Sequence, residues 1–153
     1  MTDHNDNFEQ DGDLLALESQ LCFALYATQL SMSKLYRRLL KQLELTYPQY
    51  LVMQVLWQKD HLTVSSIGER LSLDSATLTP LLKRLESAEL VRRQRTREDE
   101  RQVEVSLTDR GSALREKART LPAEVERASG CSTSEMKALR DQLNALKQNL
   151  DRI

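Results

Sequence analysis

Two cysteines are the most reactive side chains that this sequence offers. Cys22 lies in the stretch QLCFALYATQLSMSKLYRRLL, whose apolar residues recur at helical spacing, and Cys131 lies far along the chain, just before the last leucine-rich stretch. A thiolate is a strong nucleophile, and two isolated cysteines in a reducing compartment are more typical of redox sensing than of a structural disulfide. Free cysteine is also among the most buried residue types, so composition alone favours an inert core thiol at Cys22.

Other reactive motifs are missing from the sequence. The two histidines and two separate cysteines lack the spacing of a zinc site, and no glycine-rich phosphate loop, GxSxG or HExxH pattern occurs. We therefore expect no metal, no cofactor and no enzymatic activity. No run of 18 apolar residues is present, and the acidic start MTDHNDNFEQDGD is unlike a signal peptide, so we expect a cytoplasmic protein.

The composition predicts a mainly α-helical chain of one domain or compact protomer. Among 153 residues there are only four glycines and three prolines, and 40% are apolar. We expect a flexible segment over residues 1–12 and a first long helix from Leu14 to Leu43. A second, strongly apolar helix from Tyr47 to Gln58 follows, with Thr46 as its N-cap.

A helix-turn-helix pattern comes next. Thr63 can cap the short helix VSSIGERL, and Asp74 can cap a helix from Ser75 to about Ala88. The second helix has one apolar face, which we expect to be buried. Its opposite face carries small residues near the start and basic residues further along, as is typical of a helix that enters the major groove. The buried stripe comprises Leu78, Leu81, Leu82 and Leu85. Pro80 lies beyond the first turn, where we expect a local bend.

A charged hairpin follows directly. Residues 90–95 and 102–107 alternate as strands do, and the loop TREDER lies between them. This combination predicts a winged helix. Six basic residues between Lys83 and Arg97 outnumber two acidic ones, which favours nucleic acid as the partner, although such a run is most often only solvated surface.

The end of the chain offers a surface for another helix. A polar helix beginning after Thr108 crosses Pro122, where we expect a bend. Ser132 and Glu135 match a capping box, and leucines then recur every three or four residues. Because the terminal helices carry more apolar surface than one small domain needs, we predict a homodimer that binds double-stranded, palindromic operator DNA. The predicted organisation is residues 13–45 and 112–153 as dimerisation helices around a winged helix-turn-helix domain at 46–111.

The chain resembles the MarR family of bacterial regulators over nearly its whole length. The wing segment DERQVEVSLTDRG is similar to that family's D-x-R…L-T-x-x-G signature. The similarity is closer to one branch, the organic hydroperoxide resistance repressors, and Cys131 resembles the second cysteine of their two-cysteine subtype. The segments that resemble this branch are LCFALY, LTYPQYLVMQVLW, IGERLSLDSATLTPLLKRLE and DERQV.

The resemblance implies a repressor of a peroxide-detoxification gene whose inducing signal is an organic hydroperoxide. The peroxide oxidises the residue that matches Cys22, and an intersubunit disulfide with the residue that matches Cys131 releases the DNA. Tyr36 and Tyr47 match tyrosines that hydrogen-bond the reactive thiolate. Asp99 matches a residue that orients Arg101 into the minor groove. The predicted DNA-binding residues, from the resemblance and from the basic run together, are Ser75, Thr77, Thr79, Lys83, Arg84, Arg93, Arg95, Asp99 and Arg101.

Helix geometry adds a constraint to this site. Fourteen residues of continuous helix span about 21 Å, so Tyr36 cannot contact Cys22 of its own chain. If Tyr36 serves Cys22 as the resemblance implies, it has to come from the partner protomer. No Lys, Arg or His lies within one turn of Cys22. We therefore expect stabilisation of the thiolate to come from tyrosine hydroxyls donated across the interface.

Three alternatives remain open at this point. A regulator of the same fold that binds a phenolic compound in the dimer cleft needs no reactive thiol. A thiol peroxidase needs a cation such as arginine at the sulfur, and none is close to Cys22 in the sequence. A structural helical dimer has no DNA role at all.

Overall fold

The computed structural model describes residues 14–153, so the predicted flexible segment at residues 1–12 lies outside the described part. Seven α-helices and a small antiparallel sheet make up this part. The helices are α1 (Leu21–Leu39), α2 (Tyr47–Gln58), α3 (Val64–Leu71), α4 (Ser75–Ser87), α5 (Asp109–Ala118), α6 (Leu121–Ser129) and α7 (Thr133–Asp151). The strands are β1 (Leu62–Thr63), β2 (Val91–Arg95) and β3 (Val103–Leu107). The predicted mainly α fold with a winged helix-turn-helix is confirmed.

The first helix is shorter than predicted. A 3-10 turn at Leu17–Ser19 precedes it, and Gln20 between them has an extended backbone (φ −89°, ψ 123°) that breaks the helical hydrogen-bond series. A second 3-10 turn covers Leu40–Leu43, and Glu44 ends it in the left-handed region. Helix α1 itself is continuous from Leu21 to Leu39, so Cys22 and Tyr36 of one chain lie about 21 Å apart along the axis.

The helix-turn-helix forms as its capping residues predict. The Thr63 hydroxyl accepts a hydrogen bond from the Ser66 backbone at 3.1 Å, and the Asp74 carboxylate accepts one from the Thr77 backbone at 2.8 Å. The Thr77 N–H, and to a lesser degree its hydroxyl, hold the pKa of Asp74 below its usual range. All four leucines of the α4 stripe are buried. Pro80 lies inside α4, and the helix runs through it without a break.

The wing is part of a three-stranded sheet of order β1-β3-β2. Strands β2 and β3 pair in the register Val91 with Leu107 and Arg95 with Val103. Each begins one residue later than predicted. The third strand, β1, was not predicted, because two residues carry no periodicity of their own and are held only by pairing with β3.

The predicted bend at Pro122 is a break between two helices. Helix α5 ends at Ala118, and α6 begins at Leu121 with Pro122 in its first turn, where the missing N–H costs no helical hydrogen bond. Only half of the predicted capping box forms at α7: Ser132 accepts from the Glu135 backbone at 3.2 Å. Within residues 14–153 no helix is both long and apolar enough to span a membrane.

The junction between α5 and the winged helix depends on Gly111. A Cβ placed there would lie 2.1 Å from the Leu90 carbonyl oxygen, and the Gly111 carbonyl accepts a hydrogen bond from Trp57 Nε1 at 2.9 Å. The backbone of α5 therefore packs directly on the start of the wing and on α2.

We expect Gly111→Ala to lower the free energy of unfolding by about 3 kcal/mol, because backbone rather than a flexible side chain has to move. Chemical denaturation measures the loss. The matched control is Gly130→Ala, where no atom lies within 4 Å and only the left-handed backbone (φ 70°) opposes the change, at a cost of about 1 kcal/mol. Equal losses in the two variants would contradict the packing explanation.

Candidate functional site

The exposed face of α4 presents small polar residues at its start and basic residues further along. Ser75 and Thr77 are exposed, and Thr79 is half-buried. Lys83 and Arg84 are exposed one to two turns later. The buried leucines fix this orientation, because they hold the opposite face of the helix against the core. A helix of this shape can approach base edges closely at one end and contact phosphates at the other.

The turn of the wing positions Arg101. The Thr96 hydroxyl donates to the Asp99 carbonyl at 2.7 Å and accepts from the Asp99 backbone at 3.1 Å. The Asp99 carboxylate in turn accepts a hydrogen bond from the Arg101 backbone N–H at 3.0 Å. Asp99 thus holds the backbone of Arg101, and the exposed Arg101 side chain extends from a fixed point. Arg95 is exposed and donates to the Glu100 carbonyl at 3.3 Å.

A cleft of about 270 Å³ separates the wing from the recognition helix α4. Hydroxyl residues from α3 and α4 and guanidinium residues from β2 and the wing both line this cleft. Among its lining residues are Ser65, Ser75, Thr79, Arg93 and Arg101. Four of the predicted DNA-binding residues therefore come together at one place.

Arg93 differs from the other predicted DNA-binding residues, because it forms a salt bridge within the protein. Its Nη2 lies 3.1 Å from Glu86 Oε1, and its side chain is only 25% exposed. Its backbone N–H donates to Glu86 Oε2, also at 3.1 Å. The Arg93 side chain holds the pKa of the Glu86 carboxyl below its usual range. Its assignment as a direct DNA contact stays a prediction.

The two predicted sensor tyrosines lie together. The ring centroids of Tyr36 in α1 and Tyr47 in α2 are 4.6 Å apart, and Tyr50 lies 6.2 Å from Tyr36. Burial, with a smaller contribution from the neighbouring phenols, raises the pKa of Tyr36 to about 12. Burial also raises the pKa of Tyr47 and Tyr50. All three hydroxyls therefore stay protonated at neutral pH and can donate hydrogen bonds to an anion.

The two cysteines lie apart within one chain. Cys22 is exposed in the first turn of α1, and Cys131 is half-buried between α6 and α7. The Cys131 thiol lies 3.7 Å from the Ser129 carbonyl oxygen. A single chain therefore brings neither the second cysteine nor Tyr36 to Cys22. Among residues 14–153 no cluster of three metal-ligating side chains occurs.

Sequence reasoning missed two residues of these sites. Tyr50 completes the tyrosine cluster, and its position three residues after Tyr47, on the same face of α2, is the signal that could have found it. Glu86 in α4 forms a salt bridge with Arg93 in β2, and neither helical nor strand periodicity predicts a pair between two different elements.

Comparison with known proteins identifies the family. The model of the family described as "Transcriptional regulator SarA/Rot" matches residues 34–118. The organic hydroperoxide resistance transcriptional regulator of Bacillus subtilis (strain 168) is 46% identical over 93% of this chain and 97% of its own length. This chain belongs to the MarR/SarA family of transcriptional regulators. The predicted class of regulator, rather than enzyme, is thereby confirmed.

Other similar proteins are also transcriptional regulators or DNA-binding proteins. The HTH-type transcriptional regulator TtmR of Methylorubrum extorquens (strain PA1) is 51% identical over 90% of this chain and 71% of its own length. The crystal structure of AbfR of Staphylococcus epidermidis matches with a TM-score of 0.75 and 34% identity, over 94% of this chain and 99% of AbfR. AbfR has also been solved reduced and bound to DNA, overoxidised and bound to DNA, and with a disulfide formed.

Proposed function

We propose that this regulator is a homodimeric repressor that binds palindromic operator DNA and leaves it when an organic hydroperoxide oxidises Cys22. The observation that carries this proposal is the exposure of Cys22 on an apolar surface. Its neighbours Leu21, Phe23 and Tyr26 are also exposed. The alternative of an inert core thiol needs a buried sulfur, and this chain does not bury it.

A dimer accounts for the apolar surface on the terminal helices. Within residues 14–153, all of the large exposed apolar side chains except Tyr47 lie between Leu14 and Leu30 or between Leu139 and Ile153. Leu139 and Leu150 of α7 are 51% and 57% exposed. We assign residues 13–45 and 112–153 to a dimerisation layer, and residues 46–111 to the DNA-binding domain. As a regulator of bacterial transcription the dimer would act in the cytoplasm.

DNA binding would use α4 and the wing of each protomer. Ser75, Thr77 and Thr79 would lie at base edges in the major groove, and Lys83 and Arg84 at phosphates. Arg101 would enter the adjacent minor groove from the turn that Asp99 holds. The protein AbfR, solved in complex with DNA, supports this use of the fold.

The hydroperoxide would oxidise the two cysteines in two steps. The Cys22 thiolate attacks the terminal peroxide oxygen, the O–O bond breaks, and the alkoxide leaves as an alcohol after taking up a proton. The Cys131 thiol of the other protomer then attacks the sulfenic sulfur, which forms the S–S bond and releases water. The two thiols together lose two electrons and two protons, and the hydroperoxide is reduced to the alcohol and water.

The tyrosine cluster would complete the sensor across the dimer interface. Cys22 of one chain would approach Tyr36 and Tyr47 of the other, whose phenols stay protonated and can donate to the thiolate. The apolar side chains around Cys22 would favour organic peroxides over hydrogen peroxide. Because the two halves of the site belong to different chains, oxidation can move one protomer against the other.

A heterodimer tests the intersubunit disulfide. One protomer carries Cys22→Ser and the other Cys131→Ser, so that only an intersubunit bond can form. After treatment with cumene hydroperoxide we expect a covalent dimer on a non-reducing gel. Addition of a reductant should cleave the disulfide and return this species to monomers on the gel. The homodimer of Cys131→Ser is the control and should oxidise without cross-linking. A heterodimer that oxidises at Cys22 yet stays uncross-linked would contradict the resolving role of Cys131.

A further inference from the structure

The carboxylate of Glu86 joins the recognition helix to the wing. Glu86 lies in the last turn of α4, and both of its oxygens bind one residue of β2: Oε1 binds Arg93 Nη2 and Oε2 binds the Arg93 backbone N–H, each at 3.1 Å. Since the sheet order is β1-β3-β2, strand β2 is an edge strand. On an edge strand, the N–H groups that face away from the sheet have no partner strand. The Arg93 backbone N–H is one of these groups, since it donates to Glu86 and not to β3.

The arginine side of this pair is shielded from solvent. Arg93 is 25% exposed, which makes it the least exposed cation among the ion pairs of residues 14–153. Its Nε is buried and has no hydrogen-bond partner in this part of the chain. An arginine held in this way is poorly placed to reach a phosphate, because it would first have to leave Glu86.

The same arginine lies where the two DNA-reading elements meet. Its side chain lines the cleft of about 270 Å³ together with Thr79 of α4 and Arg101 of the wing. A change in the position of Arg93 relative to α4 would therefore change the separation between the major-groove helix and the minor-groove arginine. Both elements have to fit adjacent grooves of one rigid duplex at the same time.

We infer that Glu86 and Arg93 are positioning residues that set the distance between the recognition helix and the wing, and so select operator DNA over other DNA. This inference rests on the proposed DNA binding and assigns to Arg93 a role through Glu86 instead of a phosphate contact. Glu86, an acidic residue close to the DNA-binding face, thereby increases the affinity for an anionic ligand.

The variant Glu86→Gln separates this role from simple electrostatics, because the two predict opposite signs. Removal of a negative charge near DNA should tighten binding to all sequences. Loss of the pair should instead weaken binding to the operator by about tenfold, since hydrogen bonds to charged groups are the strong ones. The ratio of operator affinity to random-duplex affinity, measured by fluorescence anisotropy, should fall by the same factor.

Glu89→Gln is the matched control. Glu89 carries the same charge three residues later, is 82% exposed, and only approaches Arg110 at 4.0 Å. We expect Glu89→Gln to leave the ratio unchanged. Circular dichroism and thermal unfolding check that each variant is folded. Arg93→Lys, which keeps the positive charge, is a second test variant. Its ratio of operator affinity to random-duplex affinity should fall as that of Glu86→Gln does.

A double-mutant cycle decides whether the two residues act through each other. The double variant Glu86→Gln/Arg93→Gln should lower the affinity ratio no further than either single substitution does. Arg93→Gln alone should leave the salt dependence of operator affinity unchanged. A tighter operator complex for Glu86→Gln, additive effects, or a salt slope reduced by about one in Arg93→Gln would each overturn the inference. Failure of the unchanged protein to bind any DNA would instead count against the proposed function.

Discussion

Cys22→Ser should bind the operator with unchanged affinity and should no longer be released by cumene hydroperoxide. Cys22 lies in the first turn of α1, far from the recognition helix and the wing in the chain, so the substitution leaves the DNA-binding face intact. A serine hydroxyl is not ionised at neutral pH and does not reduce peroxides. The expected effect is a complete loss of the response, which anisotropy with a labelled operator duplex measures across a peroxide titration.

The controls for this prediction address the alternatives. Cys131→Ser should still react at Cys22, which mass spectrometry detects as an added oxygen, but should not cross-link. Alkylation of Cys22 should block the peroxide response in the unchanged protein. A regulator that responds to a phenolic ligand would keep its response after alkylation, and a thiol peroxidase would consume many equivalents of peroxide. Release of Cys22→Ser by hydroperoxide would refute the sensor assignment.

Arg101→Ala should weaken operator binding by about tenfold. The wing turn fixes the backbone of Arg101 through the Asp99 carboxylate at 3.0 Å, so its side chain enters the groove from a pre-organised position. If Arg101 neutralises a phosphate, the slope of log affinity against log salt should fall by about one. If it reads the narrow minor groove instead, the slope should change less and the operator preference more.

Arg97→Ala provides the matched control for Arg101. Arg97 is exposed in the same wing turn and carries the same charge. It lies between Thr96 and Asp99 in sequence but takes no part in the hydrogen bonds that join those two residues. We expect it to lower operator affinity much less than Arg101→Ala. Equal losses in the two variants would show that the wing contributes only general positive charge, and the specific role of Arg101 would be wrong.

Local interactions explain why most of the fold could be predicted. Thr63, Asp74 and Ser132 cap helices through hydrogen bonds to backbone only three residues ahead, so the sequence alone contains both partners. The leucines of α4 define its buried face by spacing in the same way. The strand β1 has no such signal, because a two-residue strand is determined by its pairing with the distant strand β3. The break at Gln20 is not indicated by any glycine or proline in the sequence there.

The sites were predicted less completely than the fold. The sequence predicts that a continuous helix keeps Cys22 and Tyr36 apart within one chain, and α1 is indeed continuous. That the two residues serve one site across the dimer stays a proposal. The sequence does not reveal Tyr50, or that Arg93 is bound to Glu86. The pairing of Arg93 with Glu86 depends on how α4 packs on β2, which residue identity does not encode. The spacing of three residues places Tyr50 on the same face of α2 as Tyr47, but this spacing alone does not assign Tyr50 to the cluster with Tyr36.

Release of DNA by oxidation and its recovery by reduction is the most direct test of the central claim. A labelled duplex from the region upstream of the protein's own gene is titrated with the reduced dimer, treated with cumene hydroperoxide, and then treated with dithiothreitol. We predict a complex that forms, disappears as the Cys22–Cys131 cross-link appears, and returns when the cross-link is reduced. A complex that persists while Cys22 is fully oxidised would contradict the claim.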